Sequence, residues 1–241
     1  MSTLMRDSIT RNRAIGQHEV FEDFDWYVTA HGFTTTINNS GTVAVGTTTN
    51  TNGVATITTG VTQTNYAYAN FTTNPFLFAA GKELLFETRI ACAEAATNVS
   101  NVIVGVMNAV ASGAMVDATG PKTSGTFAVV WKKAGDASLL WRCTSSLSTT
   151  QTTNVSTAVS AASATVFQRI TISVKPLNST QQTVAYCIDG VPLVDGTTGK
   201  PFTQTMAFAS AAAMMPFVGV VAGSANAEVV ICDYIYCGQT R

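Results

Sequence analysis

Two short acidic runs offer the residue types that could work as a pair. Asp23 and Asp25 sit two apart in Phe21-Glu22-Asp23-Phe24-Asp25-Trp26-Tyr27. On a strand that spacing puts both carboxylates on one face, about 6.6 Å apart. Hydrolysis of a glycosidic bond asks for two carboxyls about 5–5.5 Å apart for retention, or about 6.5–9.5 Å for inversion. Trp26 beside them could stack on a sugar. The plainer reading is an edge strand whose acids face water while Phe21, Phe24 or Trp26 plugs the core, and it is the one adopted. Glu83 and Glu87 are four residues apart, about 13 Å along a strand, too far to share one bond.

A nucleophilic triad needs a histidine, and the chain has two, His18 and His31. Neither lies near a G-x-S-x-G or any patterned serine. Zinc needs about four nitrogen or sulfur ligands at short spacing, calcium a D-x-D-x-D-G loop, and a nucleotide a glycine-rich cradle. Two isolated histidines and five scattered cysteines (Cys92, Cys143, Cys187, Cys232 and Cys237) supply none of these. No catalytic residue, cofactor or metal is expected. Trp131 and Trp141 fall on facing strands of one expected hairpin, where packing is their expected use. Trp26 is left as the candidate sugar-stacking residue.

The elements that would position these residues are strands. Leu84, Phe86, Thr88 and Ile90 alternate with Leu85, Glu87 and Arg89; Ile170, Ile172 and Val174 alternate with Thr171, Ser173 and Lys175; Phe127, Val129 and Trp131 alternate with Ala128, Val130 and Lys132. This period of two predicts half-buried strands, apolar inside and wet outside. Val99–Met107 and Phe217–Ala222 are apolar on both faces and predict central strands. Ala134-Gly135-Asp136 and Asp189-Gly190 predict hairpin turns, and Asn52-Gly53 precedes a short strand, Val54–Thr58. Glu228–Gly238 predicts a long closing strand in which Val229, Ile231, Asp233 and Ile235 alternate with Val230, Cys232, Tyr234 and Tyr236. Residues 145–166 are low in complexity and predict a flexible loop or irregular edge. In all, about ten to fourteen strands and little helix are expected. The fold class is all-β, a two-sheet antiparallel sandwich over residues 20–241, preceded by an extended arm over residues 1–19.

Composition narrows the role. Only 11% of the 241 residues are Asp, Glu, Lys or Arg, against about 25% in an ordinary soluble domain. A surface of Ser, Thr, Asn and Gln repels neighbours weakly, which fits an exterior that lies against other subunits. The net charge of −1 argues against a nucleic acid partner, although Arg6, Arg11 and Arg13 gather in the arm and are the candidate capsid or subunit contacts. The start of the chain reads without the apolar stretch of a secretory signal. Four of the five cysteines sit in apolar strand-like runs, which predicts reduced core thiols and a cytoplasmic origin. The uncharged run Met206–Gly223, with its Pro216, reads as a loop or helical turn entering a buried strand, not a membrane span.

The order of segments resembles a known family. Phe21-Glu22-Asp23-Phe24 opens the domain; Gly81–Arg89 and Val102–Val106 follow, then the Phe127–Trp131 hairpin and Phe167–Ile172. Tyr186-Cys187-Ile188-Asp189-Gly190, Met215-Pro216-Phe217 and Cys232-Asp233-Tyr234-Ile235 close it. This is similar to the concanavalin A-like (lectin/glucanase) jelly roll of head proteins in tailed bacteriophages. The resemblance implies a non-enzymatic virion protein, made in the host cytoplasm, that decorates the outside of an HK97-like capsid. Its implied partners are the major capsid protein and further copies of itself, as a dimer or trimer. The glucanase E-x-D-x-E strand and the lectin calcium and sugar ligands are absent, so those activities are not carried over. The alternatives are a carbohydrate-binding module and a tail- or fibre-associated virion protein.

Overall fold

Strands that alternate apolar and polar residues can hide one face only, so they stack in layers. A computed structural model describes residues 17–24, 32–47, 50–96, 98–136, 139–154, 161, 166–195, 198–207 and 211–240. Among them every regular element is a strand, nineteen in all and all paired antiparallel, in two large sheets and one two-stranded ribbon. That exceeds the expected ten to fourteen because four strands are only two or three residues long and the low-complexity stretch supplies another, β13 (Thr150–Asn154). No helix among the described residues is long and apolar enough to cross a membrane.

The nine-stranded sheet runs in the order β16 (Val191–Pro192), β15 (Gln181–Ile188), β14 (Gln168–Pro176), β7 (Leu84–Ala93), β19 (Val229–Thr240), β4 (Asn50–Thr58) and β3 (Thr42–Thr47). β1 (Gln17–Glu22) pairs with the second half of β19, and β17 (Thr203–Ala207) with β15. The eight-stranded sheet runs β13 (Thr150–Asn154), β12 (Arg142–Leu147), β11 (Phe127–Lys132), β8 (Ser100–Met107), β18 (Ala212–Ala222), β5 (Tyr66–Phe71) and β2 (Phe33–Ile37), with β6 (Phe76–Phe78) beside β18. Between the sheets lies the main core, in which Phe86, Ile90, Ile170, Ile172 and Val174 from one side meet Val102, Val104, Val106, Ala128 and Val130 from the other.

The alternation read in Leu84–Ile90 and Ile170–Val174 is the alternation of burial, and β8 is buried throughout, as a central strand should be. β11 differs. All six of its residues are buried, because a ribbon, β9 (Met115–Val116) with β10 (Gly120–Pro121), covers its outer face. There Ile103, Met107, Phe127, Val129, Trp131, Phe217 and Tyr68 form a second apolar cluster with Ala114 and Met115.

β19 corrects a second expectation. Its register slips between Cys232 and Tyr234, so Val230, Cys232, Ile235 and Cys237 all face the core; one bulged residue resets the alternation. β1 begins at Gln17, so Gln17, His18 and Glu19, assigned to the arm, belong to the sheet. The run expected as a loop or helical turn before a buried strand is itself largely strand, β17 and β18, with residues 208–210 outside the description. Pro216 is tolerated within β18 because β6 pairs with Ala212–Met214 and β5 with Phe217–Val221. Proline, with no N–H to donate, falls in the gap between the two. Residues 150–154 of the low-complexity stretch form the edge strand β13. At the β15–β16 hairpin Asp189 (φ 52°) and Gly190 (φ 80°) both take the left-handed conformation that a tight two-residue turn demands.

Gly219 shows how tightly the outer cluster packs on its own sheet: a Cβ there would lie 1.9 Å from Cδ1 of its cross-strand partner Tyr68, whose side chain is fully buried. Gly219→Ala should destabilise the fold by about 1–3 kcal/mol through overpacking, read from urea unfolding. An unchanged midpoint would contradict this packing.

Candidate functional site

The two outer sheet faces differ in what covers them. On the eight-stranded sheet the β9–β10 ribbon is stitched down by polar contacts. The Met115 N–H donates to the Tyr68 hydroxyl (3.3 Å), and buried Asn101 accepts from the N–H groups of Ala118 (3.0 Å) and Ala134 (2.9 Å). The Asn101 amide in turn donates to Asp117 (2.8 Å). The chain itself occupies the centre of this face.

Among the described residues no such ribbon lies on the outer face of the nine-stranded sheet. Register places Phe21, Tyr236, Glu87, Thr171 and Cys187 in one row across β1, β19, β7, β14 and β15. Tyr234, Arg89 and Arg169 form a neighbouring row. The Tyr234 hydroxyl donates to Glu87 Oε1 (2.7 Å) and the Thr171 hydroxyl to Glu87 Oε2 (3.3 Å). Arg89 pairs with Asp233 (2.7 Å), and its guanidinium lies 4.6 Å from the Phe167 ring centre. Burial, reinforced by the adjacent Glu87 carboxylate, pushes the Tyr234 phenol well above its ordinary range. It is therefore a neutral donor and not a base at neutral pH. Phe21, packed 5.9 Å from Tyr234, and Leu85 remain exposed. The partly exposed Glu87 carboxylate, the exposed Arg89 and Arg169 guanidiniums and the exposed Phe21 ring are the groups this face presents to a ligand.

A second polar cluster sits at one end of the sandwich. Lys132, on an otherwise apolar strand, is 1% exposed and pairs with Glu94, 14% exposed. Glu94 also accepts from the Ser100 hydroxyl (2.6 Å) and N–H (3.0 Å) and the Asn98 N–H (2.9 Å). Burial alone would raise the Glu94 carboxyl, but Lys132 and Ser100 outweigh it and hold it below the ordinary range. Burial raises nearby Glu228, and the Glu94 charge adds to that. Two carboxyls pushed apart in acidity is the pattern of acid–base pairs. Here, however, Glu228 is fully buried, donating its N–H to Thr59 and accepting from the Ala95 N–H. The cluster pins the 94–100 loop to β11 and is structural.

The sequence-derived candidates fare unevenly. Arg6, Arg11, Arg13, Asp25, Trp26 and His31 lie outside the described residues. His18 faces Phe76 (ring centres 5.1 Å apart) on β1. Trp131 and Trp141 do not pair across their hairpin. Trp131 lies opposite Arg142 and belongs to the outer cluster, while Trp141 is in the main core, donating to Gln168 (2.9 Å). Of the five cysteines, all free, four are buried, and burial pushes the Cys92, Cys143 and Cys232 thiols up to about 12. Among the described residues no three His, Cys, Asp or Glu side chains could hold a metal ion. Glu94, Lys132, Glu228 and the Arg89–Arg169 pair escaped sequence reasoning. The available signal was Lys132 itself, a charge on the side of Phe127–Lys132 where Ala128 and Val130 face the core.

No family model matches the chain, and no curated protein does. Solved structures do. An endo-β-1,4-glucuronan lyase from Trichoderma reesei superposes with TM-score 0.61 at 14% identity, covering 91% of this chain and 94% of that one. The Emp47p carbohydrate recognition domain gives 0.60 at 9%, covering 94% and 98%. The fold is that of the concanavalin A-like lectins and glucanases. A CBM2 module of the evolved Dit of Lactobacillus casei phage J-1 also shares it, at 0.51 and 10%, covering 92% and 96%. At these identities the likeness is one of fold.

Breaking the buried pair should be costly. Glu94→Gln leaves Lys132 charged and uncompensated, a loss of about 3–5 kcal/mol, whereas Glu94→Gln with Lys132→Met should cost less than the sum of the singles. Because the folded-state pKa of Glu94 is depressed, its contribution is complete above the ordinary carboxylate range and disappears as pH falls through the lowered value. Wild type should therefore lose more stability on acidification than Glu94→Gln does. Parallel pH–stability curves would contradict the assignment.

Proposed function

We propose that the chain is a non-enzymatic structural protein of a bacteriophage particle. It decorates and stabilises the outside of an HK97-like capsid, as a dimer or trimer bound to the major capsid protein. The observation that carries this is the seating of β1: six consecutive residue pairs join Gln17–Glu22 to the end of β19. Whatever the preceding segment grips through Arg6, Arg11 and Arg13 is thereby coupled to a central strand of the sandwich. The scarcity of charge, 11% of residues, supports the same reading, since uncharged exteriors associate at little electrostatic cost. The test is co-sedimentation with shells assembled from the phage's major capsid protein. The full chain should bind at fixed stoichiometry and raise the shell's resistance to heat. Removal of residues 1–16 should weaken binding while the domain still folds. Undiminished occupancy without those residues would contradict the coupling.

A carbohydrate-binding role is a second reading, favoured by the outer face of the nine-stranded sheet, where the exposed Phe21 ring and Arg169 guanidinium lie on the same side of the sheet as the partly exposed Glu87 carboxylate. It is also favoured by the Emp47p carbohydrate recognition domain, which shares the fold. Retention on a glycan array, reduced by Trp26→Ala, is the expected result; no retention of any glycan would remove it.

A further inference from the structure

We propose that the open face of the nine-stranded sheet holds a subsite for a carboxylate-bearing sugar, centred on the Arg169 guanidinium. The inference rests on the carbohydrate-binding reading and gives it a ligand class.

Arg89 and Arg169 are direct partners across the β7–β14 ladder, and like charges placed opposite each other on one face repel. Arg89 is compensated by Asp233 at 2.7 Å and by the Phe167 ring. Arg169 is not: its side chain is exposed, and no carboxylate among the described residues lies within ion-pair distance of it. Its backbone is held from both sides by one residue. The Arg169 N–H donates to Asp189 Oδ1 (2.8 Å), and the Asp189 N–H donates to the Arg169 carbonyl (2.7 Å). The guanidinium reaches over the β15–β16 turn, where a Cβ on Gly190 would lie 3.4 Å from Nη2. A firmly anchored backbone thus presents an uncompensated planar fork of donors to solvent, the geometry that takes a carboxylate by two parallel hydrogen bonds.

Local charge selects the ligand. Two guanidiniums (Arg89, Arg169) stand among three carboxylates (Glu87, Asp189, Asp233), so the patch is balanced toward the negative and opposes a polyphosphate or nucleic acid. A singly charged carboxylate can reach Arg169 on its own, while hydroxyls on the same molecule donate to Glu87, whose contact to Thr171 is a long 3.3 Å. From Phe21 to Thr171 the row crosses three inter-strand steps, about 14 Å at about 4.8 Å each. That length suits an oligosaccharide better than a single sugar.

The test is calorimetric titration of the full chain with β-linked oligosaccharides that carry a single glucuronate residue, the same oligosaccharides after carboxyl reduction, and dextran sulfate. The glucuronate form should bind, and carboxyl reduction should weaken it by about tenfold to a hundredfold, the worth of one charge-assisted pair. Arg169→Ala should cause an equal loss without changing the melting temperature, and Arg169→Lys a smaller one. Equal binding of the reduced form, or binding untouched by Arg169→Ala, would overturn the subsite while leaving carbohydrate binding standing. Tighter binding of dextran sulfate, insensitive to Arg169→Ala, would reduce it to general polyanion attraction. Failure to bind any of the three, together with no retention on a glycan array, would remove both.

Discussion

Everything else in the molecule follows from the need to cover the eight-stranded sheet twice. Its central strands β8, β11 and β18 are apolar on both faces, and apolar surface left in water is costly at about 25 cal/mol per Å². The nine-stranded sheet covers one side and the β9–β10 ribbon the other. The ribbon is too short to stand alone. It is held by Asn101, a fully buried amide that accepts two backbone N–H groups and donates to Asp117 and to the Val221 carbonyl. Such a network is worth having only when every member is satisfied, and here one side chain ties the ribbon, the β11–β12 turn and β18 together.

This division of labour decides which surface is available. The nine-stranded sheet needs cover on one face only, and its strands alternate accordingly, so the other face is free to carry polar chemistry. Most of the charge there is internally matched, Arg89 with Asp233 and Glu87 with two hydroxyls, which lowers the desolvation cost of placing anything on it. The same logic explains Lys132. Alternation points it inward, and the ammonium is tolerable only because Glu94 and the Ser100 carbonyl meet it at the sheet's end.

The sandwich was legible from period-two alternation because that signal is local: Leu84–Ile90 and Ile170–Val174 announce their buried faces in the residues themselves. What failed depended on distant partners. β11 reads as half-buried until the ribbon from residues 108–125 is laid over it. β19 keeps an unbroken alternation on paper because a bulge at Asp233 leaves no mark in residue type. Trp131 and Trp141 look like neighbours, but the register pairs Trp131 with Arg142, so Trp141 is one residue out of step and the pleat sends the two rings to opposite faces. The candidate site was harder still. Arg89 and Arg169 are 80 residues apart in the sequence and meet only through ladder register, which no local pattern encodes. The acidic run around Asp23, by contrast, drew notice for its spacing, and its most informative members, Asp25 and Trp26, lie outside the described residues.

The decisive measurement is acrylamide quenching of tryptophan fluorescence in the Trp26→Phe variant, which leaves Trp131 beneath the ribbon and Trp141 between the sheets as the only emitters. If the ribbon seals the eight-stranded sheet, both indoles emit in the blue and resist quenching as a single population. A separate red-shifted component, quenched as readily as free tryptophan, would mean that Trp131 faces water. The sealed face, and with it the assignment of the opposite sheet as the working surface, would then be wrong.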